Sequence, residues 1–275
     1  MRCLLLTVAF GLIASIAVAE TSVTSGSQLA YEICGRGEHT IVLLHDGIAD
    51  AAVWDEVWPA LCKDNRVIRY DRRGYGHSPK ATEPHSPTAD LAALLARLGI
   101  QRCVLIGASA GGGMTFDFAL EHPNIVERLV LVAPSITGFP RTAAFETRTA
   151  ALGQAILKGD IEAGIAAVVT DPHFIAPGRD DAKRHLTAIL RASPQDLAPH
   201  PFQTRPMDSM SRVARMQVPT LILIGTADDD QNIGQAAALQ KGLPNGKRVS
   251  IQKSGHLIYL DQPRAFVKAV RAFLR

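Results

Sequence analysis

The sequence predicts an α/β fold: a mostly parallel central sheet with helices on both faces and a helical insertion. Three observations carry that expectation. Short β-like runs alternate with helix-like segments through the 275 residues. Four of those runs are almost continuously apolar, as strands covered on both faces are. Between about Ser135 and Met216 the alternation stops, and no strand pattern appears.

The first 20 residues stand apart from the rest. In MRCLLLTVAFGLIASIAVAE a charge at Arg2 precedes an apolar stretch from Cys3 to Val18, and Ala17 and Ala19 form the small-x-small pattern that signal peptidases accept. Residues 1–19 therefore read as a signal peptide cleaved after Ala19. This predicts a secreted or periplasmic protein with no stable membrane association once the signal is gone. The run falls short of the roughly 18 or more apolar residues of a spanning helix. Cys3 opens that run rather than following it, where no lipid-attachment site falls.

Downstream, the strand runs are QLAYEIC (28–34), TIVLLH (40–45), RVIRYD (66–71), RCVLIG (102–107), ERLVLVA (127–133), TLILIG (220–225) and RVSIQK (248–253). Helical patterns cover 51–62, 87–98, 112–121, 233–241 and 261–274. Pro87 and Thr88 open the second of these, and Gly99 follows its end. Within the insertion, RTAALGQAILKGDIEAGIAAVV reads as two short helices, and PHFIAPG and SPQDLAPHPF as proline-rich connectors. The expected organisation is a core of residues 20–136 and 206–275 with a helical cap of residues 137–205.

A composition of 47 % hydrophobic and 20 % charged residues is that of a globular protein, and it excludes disorder and collagen-like or disulfide-dense chains. Lys plus Arg number 29 against 26 for Asp plus Glu, with no basic run. That is a mildly basic solvated surface and predicts no nucleic-acid partner. Removing the signal leaves Cys34, Cys62 and Cys103, an odd number, so at least one thiol is free. Cys103 opens an apolar strand and reads as a small buried hydrophobe. For Cys34 and Cys62 the expectation is that they stay unpaired, with a disulfide as the alternative. No C-x-x-C and no His/Cys spacing suited to a metal occurs, so neither metal nor cofactor is expected.

In an open α/β sheet, ligands bind where loops leave the carboxyl ends of the strands. Those loops carry His45-Asp46-Gly47, Asp71-Arg72-Arg73-Gly74-Tyr75-Gly76, Gly107-Ala108-Ser109-Ala110-Gly111, Gly225-Thr226-Ala227-Asp228 and Ser254-Gly255-His256. A serine, an acid and a histidine thus follow one another, each just beyond a strand. A serine hydroxyl is too weakly acidic to attack a carbonyl unaided, so a neutral imidazole must take its proton and a carboxylate must hold that imidazole. Small residues around Ser109 permit a tight strand-to-helix turn. The Ala110 N–H can then face a developing oxyanion.

These motifs resemble those of the α/β-hydrolase family, in its serine-nucleophile esterase and lactonase branch. The resemblance rests on H-x-G at His45, D-x-R-G-x-G-x-S at 71–78, G-x-S-x-G at 107–111, G-x-x-D at 225–228 and G-H at 255–256, and so spans essentially the whole mature chain. It implies Ser109 as nucleophile, Asp228 as acid and His256 as base, with oxyanion donors at Ala110 and Gly47. Many relatives have His-Gly where this chain has His-Asp-Gly, so Ile48 is an alternative donor and Asp46 adds negative charge nearby. Relatives that open epoxides or displace halide need a carboxylate at the elbow. Ser109 points instead to acyl transfer to water, with a small-molecule ester or lactone as substrate. The glycine run after the elbow and the size of the cap are most similar to small esterases and to enol-lactonases of oxoadipate breakdown. Carbon–carbon bond hydrolysis or perhydrolysis by the same three residues is an alternative, and a non-catalytic binding protein on the same fold is another.

Simpler readings stand beside these. Ser109 fits a turn residue, and Asp229 or Asp230 of ADDDQN could replace Asp228. His45 fits a brace for the oxyanion loop, while His77 and His122 look ordinary. Asp71 with Arg72 or Arg73 fits a structural ion pair. Trp54, Trp58 and Phe145 fit either core or pocket lining.

Overall fold

The computed structural model describes residues 19–23, 28–157 and 160–275. Eight strands form one sheet in the order β1-β2-β4-β3-β5-β6-β7-β8. They are β1 (Ala19–Val23), β2 (Gln28–Cys34), β3 (Thr40–Leu44), β4 (Arg66–Tyr70), β5 (Cys103–Ala108), β6 (Val126–Val132), β7 (Thr220–Gly225) and β8 (Gly246–Ile251). The pairs from β4 through β3 to β8 are parallel. At the other edge β2 joins β4, and β1 joins β2, antiparallel. All seven expected strands form. β1 was not expected; it begins at Ala19, while the rest of the expected signal segment, Cys3 included, lies outside the described residues.

Apolar runs become central strands because both faces are covered. Along β3, Ile41 and Leu43 enter one core cluster and Val42 and Leu44 the other. β7 alternates in the same way, Leu221 and Leu223 against Ile222 and Ile224. This is the two-residue period of a strand between two helical layers. The first layer holds α1 (Trp58–Cys62), α8 (Ile258–Asp261) and α9 (Pro263–Leu274), and the second α2 (Pro87–Arg97), α3 (Ala110–Glu121) and α7 (Asp230–Gly242). The pattern expected to be one helix over 51–62 divides into a 3-10 turn at Ala51–Trp54 and then α1, which restarts with a proline in its first turn. Likewise 261–274 divides where Gln262 leaves helical geometry before Pro263.

Between β6 and β7 lie α4 (Ala143–Leu157), α5 (Ile161–Thr170) and α6 (Asp180–Ala192). The first two are the helices expected there. α6 was not anticipated, yet its buried Ala182, Leu186, Ile189 and Leu190 form an apolar stripe at helical spacing. With Ile165 and Val168 of α5, that stripe continues the core cluster containing Trp54 and Phe266. The insertion is thus packed onto the body rather than suspended from it. No helix among the described residues is long and apolar enough to cross a membrane.

Cys34 and Cys62 are joined by a disulfide, with Cα atoms 5.6 Å apart, which corrects the expectation that they stay unpaired. The cause is local. Gly35 turns with φ +67°, and a Cβ there would collide with the Cys62 carbonyl, so the end of β2 is pressed against the end of α1. Cys103 is free and buried, and burial pushes its thiol up to about 12.

Candidate active site

Ser109 stands between β5 and α3 with φ +48° and ψ −115°, a backbone conformation that non-glycine residues seldom occupy. Such strain persists only where the surroundings impose it. A Cβ on Gly107 would lie 2.5 Å from the Gly111 carbonyl oxygen and from Thr115 Oγ1, so the first turn of α3 crosses directly over the strand end. The crossing is held by Ser135 N–H and Gly113 N–H, which donate to the Ser109 carbonyl at 2.8 and 3.1 Å, and by Ser109 N–H donating to Val132 at 2.9 Å. This is the geometry of a nucleophile elbow, in which the glycines make room for the serine.

Asp228 and His256, far apart in sequence, are brought together. Asp228 Oδ2 lies 3.1 Å from His256 Nδ1, and both side chains are buried. Asp228 Oδ1 accepts from Asp229 N–H at 2.8 Å and from Asn232 Nδ2 at 2.9 Å. Asp229 instead caps α7, accepting from Asn232 N–H at 2.8 Å, and Asp230 is the first residue of that helix. Of the three acids, Asp228 is the one turned to His256. Burial by itself would raise the Asp228 carboxyl, but the charge of His256, the close approach of the His173 ring and the hydrogen bond from His256 outweigh it and hold the group well below the usual range. Burial likewise opposes a charged His256, yet Asp228, with Asp46 and Asp229 behind it, raises its pKa above the ordinary value.

The loop after β3 supplies the third part. Ile48 N–H is occupied by Asp46 Oδ1 at 2.8 Å, which removes it as a free donor. Gly47 approaches the elbow so closely that a Cβ on it would sit 3.4 Å from Ala110 Cβ. Of the two donors considered for this loop, Gly47 is the one placed beside Ala110. Asp46 is a brace, its other oxygen accepting the Tyr259 hydroxyl at 2.5 Å. His45 braces as well. Arg72 N–H donates to its Nε2 at 2.9 Å, so Nδ1 carries the proton and donates to the Asp46 carbonyl at 2.9 Å. Burial, and then the Arg72 charge, hold His45 neutral by depressing its pKa.

Asp71 does not pair with either neighbouring arginine, a correction to the expected ion pair. Its oxygens accept Ala51 N–H at 2.9 Å and His77 N–H at 2.8 Å. Arg73 turns away to Asp90 at 2.6 Å, and Arg72 lies over the Tyr75 ring and donates to Gln203 at 3.1 Å. Trp54 is core, packed on Tyr259 at 4.4 Å between ring centroids. Trp58 is covered by the Arg69 guanidinium, while Phe145 lies beneath Arg141 and Arg148 on the insertion.

One residue of this cluster was missed in the sequence. His173, in the connector PHFIAPG, is buried with Nδ1 3.0 Å from Asp228 Oδ1 and its ring centroid 4.6 Å from that of His256. His173, Asp228 and His256 are the one group among the described residues with metal-ligand atoms within 4.8 Å of one another. Asp228 already binds the His256 ring and two further N–H donors, so the set reads as an acid–base network rather than a metal cage. The only sequence signal was a histidine isolated between proline and phenylalanine in an apolar connector.

Residues 41–269 match the alpha/beta hydrolase family. The chain belongs to that family. Among relatives of this hydrolase, the pimeloyl-[acyl-carrier protein] methyl ester esterase of Aeromonas hydrophila is 27 % identical over 253 residues, covering 90 % of this chain and 99 % of the relative. A thermophilic esterase from Thermogutta terrifontis superposes with a TM-score of 0.77 at 26 % identity, covering 95 % of this chain and 98 % of that one. The enol-lactonase from Burkholderia xenovorans gives a TM-score of 0.78 at 24 % identity over 93 % and 99 % of the two chains, a likeness of fold.

Proposed function

We propose that this hydrolase cleaves a small carboxylic ester or lactone through an acyl-enzyme, with Ser109 as nucleophile, His256 as general base and Asp228 as the acid that orients the base. The observation that carries the reading is the buried Asp228–His256 pair at the same end of the sheet as a serine held at φ +48°. With Nδ1–H directed at Asp228, His256 presents its other nitrogen as the acceptor for the Ser109 proton. The serine oxygen attacks the carbonyl carbon, and the oxyanion forms against the N–H groups of Gly47 and Ala110. Collapse expels the alkoxide, which takes the proton from His256, and water repeats the sequence to release the acid. Residues 137–205 act as a cap that selects the acyl and alcohol groups. The esterases among the relatives support this choice of bond.

Export through a signal peptide of residues 1–19 belongs to the same proposal. A disulfide at Cys34–Cys62 suits an oxidising compartment, and cleavage after Ala19 leaves Glu20–Val23 to pair with β2. N-terminal sequencing of secreted protein beginning at Glu20 supports export; an intact Met1 terminus overturns it.

The deciding experiment is hydrolysis of a short-to-long series of p-nitrophenyl esters and a short lactone by residues 20–275, with Ser109→Ala beside it. Turnover that falls by about 10⁶ in the variant, the scale seen on removing a serine nucleophile, supports the reading. Undiminished turnover by Ser109→Ala, or a wild type that neither hydrolyses the panel nor reacts at Ser109 with a fluorophosphonate, overturns it.

A further inference from the structure

We propose that His173, carried on the insertion, is a positioning residue that shares Asp228 with His256 and so ties the acid–base pair of the site to the seating of the cap. The proposal rests on the assignment of Ser109, Asp228 and His256 made above and deepens it.

The backbone supplies the first argument. The turn at His173 is bonded directly to the loop carrying His256: His256 N–H donates to the His173 carbonyl at 2.8 Å, and Leu257 N–H to the Phe174 carbonyl at 3.0 Å. A Cβ on Gly255 would lie 2.6 Å from the His173 carbonyl oxygen. The glycine of the Gly-His pair therefore exists to let the insertion pass over it. The buried Asp261 fastens the same two segments, accepting Ala176 N–H at 3.0 Å and Gly255 N–H at 2.6 Å. Arg179 closes the arrangement on the Asp261 carbonyl. The position of His256 is thus set by the insertion as much as by β8.

The side chain supplies the second. His173 Nδ1 lies 3.0 Å from Asp228 Oδ1 and 3.7 Å from Asp229 Oδ2, off the line of a straight hydrogen bond and with no other partner for that buried nitrogen. The charged and titratable groups around the ring are Asp228 and Asp229 at the start of α7, His256 after β8, and Arg148 of α4. Asp171, on the same segment, accepts the His173 backbone N–H at 2.9 Å. Burial first, then the charges of His256 and Arg148, favour the neutral ring over the pull of Asp228. A neutral ring with Nδ1 protonated presents a dipole to Asp228 and draws part of the carboxylate charge away from His256. Removing it leaves that charge to His256 alone, which makes the base harder to deprotonate.

The test measures kcat/KM against pH for the wild type, His173→Leu and His173→Asn on p-nitrophenyl acetate. In parallel, the His256 ring is titrated by proton NMR, which needs no turnover. His173→Leu is expected to move the acid limb and the His256 titration upward by about one pH unit, with kcat reduced and KM for this small ester little changed. His173→Asn keeps an N–H donor near the Nδ1 position and is expected to return the limb most of the way. A purely structural role would lower the yield of folded protein and leave the pKa of what folds unchanged. An unmoved His256 titration in His173→Leu, or an Asn variant displaced as far as Leu, overturns the proposal. If Leu does not fold, Asn against wild type decides: a limb within a few tenths of a unit supports it, and a full-unit shift overturns it. A wild type without esterase activity whose NMR titration still responds to His173→Leu separates failure of the ester-hydrolase reading from failure of this one.

Discussion

Tyr259 donates its hydroxyl hydrogen bond to Asp46 Oδ2 at 2.5 Å, and both side chains are buried. The bond spans the sheet's carboxyl end, from α8, the helix after the His256 loop, to the loop after β3. Asp46 Oδ1 meanwhile holds Ile48 N–H at 2.8 Å and Ala49 N–H at 3.2 Å, so one carboxylate stiffens the loop that presents Gly47. The departure from His-Gly to His-Asp-Gly is thus a built feature, with the tyrosine as its counterpart.

Tyr259→Phe should therefore loosen the proposed oxyanion loop without touching the triad. A buried carboxylate oxygen left without its donor costs about 1–3 kcal/mol of stability. The expected kinetic result is kcat down by about tenfold, less than the 10² to 10³ of losing an oxyanion donor outright, with KM for a small ester unchanged. Steady-state kinetics and a thermal melt check this. Unchanged kcat beside a lowered Tm would assign the bond to folding alone.

The pH dependence follows from His256. Its pKa is raised above the ordinary histidine value by Asp228, against the opposing effect of burial. A protonated imidazole accepts no proton, so activity is expected to fall as pH drops through a midpoint above about 6.5, the unperturbed value. Asp228→Asn removes the charge that raises that pKa and frees the ring to adopt the wrong tautomer. It should lower the midpoint and reduce kcat by about 10⁴. A kcat/KM profile from pH 5 to 9 reads both effects.

Much of this site was legible because the α/β sheet collects chemistry at strand ends, where Ser109, Asp228 and His256 each follow an apolar run. What escaped the sequence depends on contacts between segments with no local pattern of their own. Asp228 was distinguishable from Asp229 only through which carboxylate caps α7 and which turns to His256. His173 reaches Asp228 because the insertion passes over Gly255, a crossing that no spacing encodes. The Cys34–Cys62 bond and the exchange of partners between Asp71 and Arg73 are of the same kind: both are set by tertiary placement, which the local pattern of each segment does not encode.

The disulfide closes a loop with a sequence separation of 28 and ties the antiparallel edge of the sheet to α1. In the chain-entropy account a loop of that length contributes about 3–4 kcal/mol. Cys34→Ser with Cys62→Ser is expected to lower the denaturation free energy by up to that amount while leaving kcat nearly intact, since neither cysteine adjoins Ser109 or His256 in the chain. Urea denaturation of oxidised, reduced and doubly substituted protein measures it. Reduced and substituted forms that match the oxidised protein in midpoint would show that the bond adds no stability.

A last prediction concerns the contact between the insertion and the body. Asp196 is fully buried: its Oδ1 accepts Gly76 N–H at 2.9 Å, and its Oδ2 has no partner. Asp50, Asp71 and Asp46 surround it with like charge. Burial, then the charges of those neighbours, raise its pKa to about 7 despite the Gly76 hydrogen bond. An acid whose folded pKa lies above its unfolded value, about 3.9, stabilises the fold least when ionised. The native state keeps its proton where the unfolded chain has released it, so stability falls as pH rises from about 4 through about 7 and then levels off. Asp196→Asn cannot ionise and should escape that fall. Its Tm should equal or lie slightly below that of the wild type at pH 4 and exceed it at pH 8, by roughly 2–4 °C for each kcal/mol recovered. Melts at the two pH values decide the matter, because a variant less stable at both would mean that Asp196 is held as a carboxylate by the insertion, with its charge part of the seating.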